Sequence, residues 1–323
     1  MADHADDFDE DIFIYRGGQA PQHVTHVLID TSVDEIEDDA FFRCERLVHV
    51  DTHDGLRKIG KFAFFKCISL RRINLKSVVE IDEQAFRYCK KLELLVEFGN
   101  KLETIGGSAF CDCRSLKHLR LPAIVTIEES PFWGWKCLTD VELSERLETI
   151  GAGAFKYCDR LQRIAMPLKR DLFVFDLYRR YSQFDNCKQL TTVDLVGGVD
   201  KTVASLHMVE SWRTEMNAEI NRINQVLPST PDNEKTDEIR QWMDSVIDKL
   251  EQYKSEHCRY VKEGITLLEL ALWKAKLDEK EEYTAEGKPK KAKIDEESAR
   301  KDKRMTCGAD MVINNVLPFL QLE

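Results

Sequence analysis

The chain has 323 residues, 58 acidic and 47 basic side chains, a formal net charge of −11 and 43% hydrophobic residues. This length allows two structural units, and the acidic balance lacks the basic footprint of a nucleic-acid-binding protein. No run of about 18 apolar residues occurs, so we expect no membrane span. Because of the acidic balance, we also expect no nucleic-acid partner.

The N-terminal residues 1–23 are expected to form an acidic segment followed by a cap. The opening MADHADDFDEDIF is acidic and lacks an apolar stretch, so we expect no secretory signal. DIFIYRGGQAP (11–21) predicts a strand and a turn that close the end of the domain that follows.

One phrase recurs along residues 24–196. IGKFAFFKC (59–67) returns as IDEQAFRYC (81–89), IGGSAFCDC (105–113) and IGAGAFKYC (150–158). The anchoring cysteines are Cys44, Cys67, Cys89, Cys113, Cys137, Cys158 and Cys187. A leucine lies three residues after each, except that Leu138 directly follows Cys137. This period is typical of a leucine-rich repeat.

Each copy predicts one coil of a solenoid. In SLRRINL (69–75) the apolar side chains point inward from a short strand, while Arg72 and Asn74 point outward. Ala-Phe is expected on a short helical or 3₁₀ segment, where Phe fills the space between coils and Cys is buried. Because one coil cannot bury both faces, coils stack. We therefore predict an α+β protein with a parallel β-sheet solenoid of about seven coils.

The wording I-G-x-x-A-F-x-x-C-x-x-L-x-x-I-x-L-P resembles the BspA-like leucine-rich repeat proteins over roughly residues 24–195. The resemblance implies a solenoid that binds ligands or proteins, often at cell surfaces, and that does not catalyse a reaction. Because we expect no signal peptide, we also expect the chain to depart from the surface members of this family.

Two stretches depart from the repeat. In SPFWGWKC (130–137) the Ala-Phe phrase is missing, and Trp133 and Trp135 either pack on the neighbouring coil or form an exposed adhesive edge. PLKRDLFVFDLYRRYSQFDNC (167–187) lengthens one interval, which indicates an inserted loop or helical turn.

Residues 197–323 predict an all-α bundle of about four helices. Apolar side chains at steps of three and four follow Val209, and Thr236 is placed to cap a second, long helix. ITLLELALWKAKL (265–277) and GADMVINNVLPFLQL (308–322) predict two more helices around a charged flexible loop at about 281–304. The bundle either caps the solenoid or forms a second interaction module.

The sequence contains no recognisable catalytic or metal-binding motif, so we expect no enzyme activity and no cofactor. The repeated cysteines are expected in the core, because zinc ligands cluster at closer spacing. Cys111 is off register and is a candidate exposed, reactive thiol. His49 and His53 are four residues apart, but their stretch predicts a strand and a turn, so we expect surface residues rather than ligands.

Outward-facing strand positions are the candidate partner-binding site, because solenoids commonly bind along this concave sheet. In the sequence they form a mixed line with a cationic middle, an apolar step at Leu94 and Val96, and an acidic step. The candidate partner-binding residues are Arg72, Asn74, His118, Arg120, Asp140, Glu142 and Arg163.

The leading hypothesis is a non-enzymatic, intracellular protein–protein interaction scaffold. A cytoplasmic location is favoured over a nuclear one, although KPKKAK (288–293) and RKDKR (300–304) resemble a weak import signal. The alternatives are a cell-surface or secreted adhesion protein and an enzyme within the helical tail. The sequence does not identify the partner or the oligomeric state.

Overall fold

The computed structural model describes residues 12–92, 98–113, 115–175, 181–196 and 209–282. Short parallel strands two to four residues long form three sheets. In chain order they are β1 (Ile12–Tyr15), β2 (His26–Ile29), β3 (Glu35–Ile36), β4 (His49–Asp51), β5 (Lys58–Ile59), β6 (Arg72–Ile73), β7 (Glu80–Ile81), β8 (Thr104–Ile105), β9 (His118–Arg120), β10 (Thr126–Ile127), β11 (Asp140–Glu142), β12 (Thr149–Ile150), β13 (Arg163–Met166) and β14 (Thr192–Leu195).

The strands of successive coils align in register, which confirms the predicted parallel-sheet solenoid. The sheet orders are β1-β2-β4-β6, β12-β10-β8-β7-β5-β3 and β14-β13-β11-β9. In the six-stranded sheet a buried isoleucine of each coil pairs with that of the next coil; these are Ile36, Ile59, Ile81, Ile105, Ile127 and Ile150. Each coil therefore covers the apolar face of its neighbour.

A column of aromatic rings runs through the core. Phe41, Phe64, Phe86 and Phe110 stack with 5.0 Å between successive ring centroids and interplanar angles of 4–8°. The column continues through Phe132, Phe155 and Phe184. Tyr15 of β1 is fully buried and covers the first ring at 4.9 Å. Its position shows how the N-terminal strand closes this end of the core.

The repeated cysteines connect the coils through hydrogen bonds. The thiol of Cys67 donates to the carbonyl of Phe41 at 3.1 Å, and that of Cys89 donates to Phe64 at 3.1 Å. Equivalent contacts to the phenylalanine of the preceding coil involve Cys113, Cys158 and Cys187. Cysteine thus acts here as a small buried side chain that also satisfies a buried acceptor.

The fifth coil uses Trp135 in place of this cysteine. The indole Nε1 of Trp135 donates to the carbonyl of Phe110 at 2.7 Å, and the side chain is fully buried. Cys137, which the sequence analysis placed in the series, is partly exposed. Leu138 then lies the usual three residues after the donor. The sequence analysis therefore aligned the wrong residue, Cys137, with the repeated cysteines, and the spacing to the leucine is regular once Trp135 is used instead.

Trp133 also packs, which settles the question left open about the two tryptophans. Its ring lies 5.6 Å from Tyr157 and 5.6 Å from Tyr181. The buried Lys156 ammonium lies 3.7 Å from the Tyr181 ring centroid and pairs with Asp185 at 2.7 Å. These contacts join the fifth coil to the two coils that follow it.

The Ala-Phe segments form tight turns, and the prediction of a helical or 3₁₀ segment is wrong. Phe62 and Lys66 flank one such turn with φ of 55° and 60°, in the left-handed region that interrupts a helix. This geometry directs amides to the next coil: the N–H of Phe64 donates to the carbonyl of Ala85 at 2.7 Å. Bonds between coils replace those that a helix would make within itself.

Two α-helices follow the solenoid within the described residues: α1 (Val209–Val226) and α2 (Lys235–Glu282), joined through a 3₁₀ turn (Leu227–Ser229). The predicted helix at 265–277 is the continuation of α2 and not a separate element. The predicted helix at 308–322 and the loop beyond residue 282 lie outside the described residues. The described residues up to Ile247 form one compact unit, and those from Asp248 onward belong to a second.

The beginning of α2 caps the last coil with side chains. In the other coils, the backbone N–H of the equivalent phenylalanine donates to a carbonyl of the next coil. In the last coil, the N–H of Phe184 donates instead to Thr236 Oγ1 at 3.1 Å. Lys235 is buried, and its Nζ donates to the carbonyl of Cys187 at 2.8 Å. From α1, Asn224 accepts the N–H of Val193 at 2.8 Å. Thr236, predicted to cap its own helix, instead completes the solenoid.

Replacement of Lys235 by methionine should lower the free energy of unfolding by about 1.5–3 kcal/mol, the range for a hydrogen bond to a charged group. Methionine keeps the length of the side chain but leaves the carbonyls of Cys187 and Lys188 without their donor. Urea unfolding measures the loss. The exposed Lys254 supplies the control, and Lys254→Met should change stability by less than about 0.5 kcal/mol. A similarly small effect at Lys235 would contradict the capping role.

Candidate partner-binding face of the solenoid

The outward positions of two sheets form the candidate site. The sheet β1-β2-β4-β6 carries Arg72, with Asn74 just beyond β6, and the sheet β9-β11-β13-β14 carries the other five predicted residues. Arg72, Asn74, His118 and Arg120 are exposed, and Asp140, Glu142 and Arg163 are half-buried. Ala165, which also occupies an outward position in the sequence pattern, is buried. Leu94 and Val96 lie outside the described residues.

In the sheet β9-β11-β13-β14, the side chains of the predicted cationic and acidic steps form ion pairs with each other. Arg120 pairs with the directly opposite Glu142 at 2.9 Å. Arg163 lies between two carboxylates, bonding to Asp140 at 3.0 Å and to Asp194 at 2.9 Å. Such surface pairs contribute little stability, about 0–1 kcal/mol each. A partner would nonetheless have to break these ion pairs before it could bind any of the five charged side chains.

The sheet β1-β2-β4-β6 presents different chemistry. His26, His49 and Arg72 lie in one row across adjacent strands, and the two imidazole centroids are 6.0 Å apart. His49 Nε2 bonds to Asp51 Oδ1 at 2.8 Å. Arg72 is exposed and makes no side-chain hydrogen bond or ion pair to any described residue. A ligand could therefore bind the guanidinium of Arg72 without breaking an ion pair to a described residue.

Asn74 has a local structural role. Its Oδ1 accepts the backbone N–H of Lys76 at 3.0 Å, and its carbonyl accepts the hydroxyl of Thr52 at 2.7 Å. The first contact is an Asx turn, in which the side chain fixes the chain two residues further on. Together with Arg72 and His49, Asn74 borders a shallow depression of about 260 Å³.

An apolar patch at the end of this sheet was missed by the sequence analysis. Ile12 is 59% exposed, Ile14 is 43% exposed and Leu28 is 42% exposed. The strand register places Ile12 beside His26 and Ile14 beside Leu28, all on the outward side. Alternation in IFIY and HVLI signals this arrangement, because every second residue of a strand shares a face.

His49 and His53, which the sequence analysis considered as a possible pair of metal ligands, do not point to a common site. His53 Nε2 contacts the carbonyl of Val33 at 3.0 Å, while His49 contacts Asp51. Within the part of the chain that the structure describes, no group of three or more His, Cys, Asp or Glu side chains is arranged to hold a metal ion. A separate examination of the described helices finds none that is long and apolar enough to cross a membrane.

The cysteines are protected thiols. Burial raises the pKa of Cys44 and of Cys111 to about 11, and that of Cys158 to about 12. Burial likewise raises the pKa values of Cys67, Cys89, Cys113 and Cys187. Cys111 is 5% exposed, so it is not the exposed candidate thiol that its off-register position suggested. A raised pKa keeps a thiol protonated, and the thiolate is the reactive form.

Alkylation of the folded protein should therefore be selective. Iodoacetamide at mildly alkaline pH should modify Cys137 and Cys258, both partly exposed, and spare the seven buried cysteines. Peptide mapping by mass spectrometry before and after unfolding in guanidinium measures each site. Modification of Cys113 in the folded protein at the rate of Cys137 would show that the coils are not packed as described.

Comparison with known proteins places this geometry in a family. The family model for the BspA type Leucine rich repeat region matches residues 20–133 and 94–202, with six copies against the seven coils expected. No curated protein gives a significant match.

Similar solved structures include a leucine-rich repeat protein from T. pallidum. It shares 26% identity at a TM-score of 0.45, over 55% of this chain and 82% of that chain. A leucine rich cell surface protein from Faecalibacterium prausnitzii A2-165 shares 29% identity at a TM-score of 0.44, over 53% of this chain and 55% of that chain. A leucine-rich repeat protein from Bacteroides ovatus ATCC 8483 shares 23% identity at a TM-score of 0.37, over 54% of this chain and 55% of that chain.

The two ranges of the family match together run from residue 20 to residue 202, more than half of the 323 residues. They include the stacked phenylalanines and the cysteines that bond each coil to the one before it. The chain belongs to the BspA-type leucine-rich repeat family.

Proposed function

We propose that the chain is a non-enzymatic protein-binding scaffold whose partner contacts the outward side of β1-β2-β4-β6. The observation that carries the proposal is the combination on one sheet of exposed Leu28 with Arg72, which pairs with no described residue. Interfaces are built from apolar contact area with a few charged anchors, among which arginine is enriched. The family assignment supports binding as the general role.

The self-paired sheet β9-β11-β13-β14 is the weaker candidate for the principal contact. A partner that engaged Arg120 or Arg163 would first have to separate these side chains from Glu142, Asp140 and Asp194. Because the existing pairs already satisfy both charges, the exchange brings little net free energy. Arg72 carries no such penalty toward the described residues, so we assign it the anchoring role.

Affinity capture from native lysate, quantified by mass spectrometry, tests this assignment. Arg72→Glu should abolish capture of proteins that the unchanged chain enriches, because the anchor becomes repulsive. Arg160 is also exposed but belongs to the turn after Cys158, outside the sheets, so Arg160→Glu is the matched control and should capture normally. Circular dichroism confirms that both variants are folded. Equal capture by all three would overturn the proposed site.

We further propose a reducing, intracellular location, cytoplasmic rather than nuclear. All nine described cysteines are free thiols, and seven of them are buried. Proteins of oxidising compartments commonly use such cysteines as disulfides, whereas reducing compartments keep them free. Cell fractionation with detection of the intact chain tests the location. Recovery from the cell surface or the medium would overturn it and favour the adhesion alternative.

A further inference from the structure

The outward side of the sheet β1-β2-β4-β6 changes from apolar to cationic across its four strands. Exposed Ile12 and Ile14 lie on β1, and exposed Leu28 lies beside them on β2. Exposed Arg72 lies on β6, and the strand register places β4 between these two ends. A partner that covers this face therefore meets an apolar end and a cationic end.

The depression at the β6 end has a lining of net positive charge. It is bordered by the exposed cations Arg72 and Lys76 and by the carboxylate of Asp51. That carboxylate already contacts His49 at 2.8 Å, whereas the guanidinium of Arg72 is bonded to no described residue. The whole chain, by contrast, has a formal net charge of −11. A local cationic surface favours an anionic group on the ligand, and a guanidinium binds a carboxylate through two parallel hydrogen bonds.

The distance between the two ends sets the spacing of groups on a ligand. Neighbouring strands lie about 4.8 Å apart, so Leu28 on β2 and Arg72 on β6 are separated by about 12 Å along the diagonal of the sheet. An extended peptide spans this distance with about three or four residues. Between the two ends, the exposed Asp51 on β4 disfavours a further acidic residue. The face therefore suits a short segment with one acidic end and one apolar end.

We propose that the partner contributes an extended acidic segment, in which an aspartate or glutamate lies about three or four residues from a large apolar residue. The carboxylate binds Arg72, and the apolar side chain covers Leu28 together with Ile12 and Ile14. A basic segment would instead place like charges beside Arg72 and Lys76. This inference rests on the proposed protein-binding function and specifies the class of partner that the same face recognises.

Selection from a random peptide library displayed on phage, with the purified full chain as bait, tests the class of partner. Enriched peptides should carry an aspartate or glutamate at the proposed spacing from a large apolar residue. Arg72→Glu should lose these peptides, whereas Arg160→Glu should retain them, because exposed Arg160 lies outside the sheets. Enrichment of basic or uncharged peptides, no enrichment, or enrichment that survives Arg72→Glu would overturn the proposal.

An exchange of charge between peptide and protein tests direct contact with Arg72. In fluorescence polarisation, an enriched peptide should bind Arg72→Glu about tenfold to a hundredfold more weakly, the range for loss of a hydrogen bond to a charged group. Replacement of the acidic residue of the peptide by arginine should weaken binding to the unchanged chain and restore binding to Arg72→Glu. Failure of this restoration would overturn the assignment of the carboxylate to Arg72.

The apolar end is tested with the same peptide. Leu28→Ser should weaken binding, whereas Ile68→Ser changes an exposed apolar residue outside the sheets and should not. Circular dichroism confirms that both variants are folded. Equal binding by the two variants would overturn the placement of the apolar residue.

The two capture experiments separate the class of partner from the proposed function. If lysate proteins are captured through Arg72 but the selected peptides are not acidic, protein binding at this face stands and the acidic class of partner is wrong. If Arg72→Glu changes neither experiment, both the proposed function at this face and the class of partner are wrong.

Discussion

Replacement of Trp135 by alanine is expected to lower the free energy of unfolding by about 3–5 kcal/mol, the range for truncation of a large buried aromatic side chain. Trp135 is fully buried, lies 4.9 Å from Phe132 and donates to the carbonyl of Phe110 at 2.7 Å. Alanine would leave both a cavity and an unsatisfied acceptor. Chemical unfolding followed by tryptophan-independent circular dichroism measures the loss.

Two further variants separate packing from hydrogen bonding at this position. Trp135→Phe keeps most of the ring but removes the N–H donor, and should lose about 1–3 kcal/mol for the unsatisfied carbonyl. Trp133→Ala, at a half-buried neighbour, should lose less than Trp135→Ala. Equal losses at positions 133 and 135 would contradict the assignment of Trp135 to the repeated donor position.

Replacement of Phe110 by alanine is the second change with a large expected effect, again about 3–5 kcal/mol. Phe110 is fully buried in the middle of the aromatic column, 5.0 Å from Phe86 and 6.3 Å from Phe132. Its removal empties one layer and separates the rings on either side. A loss below about 1 kcal/mol would mean that the side chain is exposed and that the repeat register is wrong.

The conservative variant Phe110→Leu provides the comparison. Leucine refills part of the volume, so the loss should be smaller than for alanine, because the cost of a core truncation increases with the cavity left behind. Phe65→Ala serves as a position outside the column: its ring is only partly buried and stacks on Phe42. We expect Phe110→Ala to be the most destabilising of the three.

The core of the solenoid was predictable because each inward residue recurs at the same place in every coil. Ile59, Phe64, Cys67 and Leu70 identify one copy, and stacking requires the next copy to place the same residues beside them. Residue type misled the alignment only in the fifth coil, where Cys137 resembles the repeated donor and Trp135 performs its role. The spacing to Leu138 was the signal that identifies the correct position.

The surface was less predictable because its chemistry depends on contacts between coils. Alternation along one strand shows that Arg120 and Glu142 point outward, but the strand register brings them within 2.9 Å of each other. The tight turns were also missed, since no residue type marks a left-handed position when Phe62 or Lys66 can occupy it. The role of the outward residues in binding stays a prediction.

Because the same bonds join every pair of neighbouring coils, the number of coils can change while the two capped ends of the solenoid stay the same. Each coil receives from its predecessor the same kind of donors and acceptors that it offers to its successor, as at Phe64 and Ala85. A whole coil can thus be duplicated or deleted in a gene without the invention of a new interface. Tyr15 at one end, and Lys235 with Thr236 at the other, must by contrast be retained. Such a chain can evolve a longer or shorter row of coils between two constant ends.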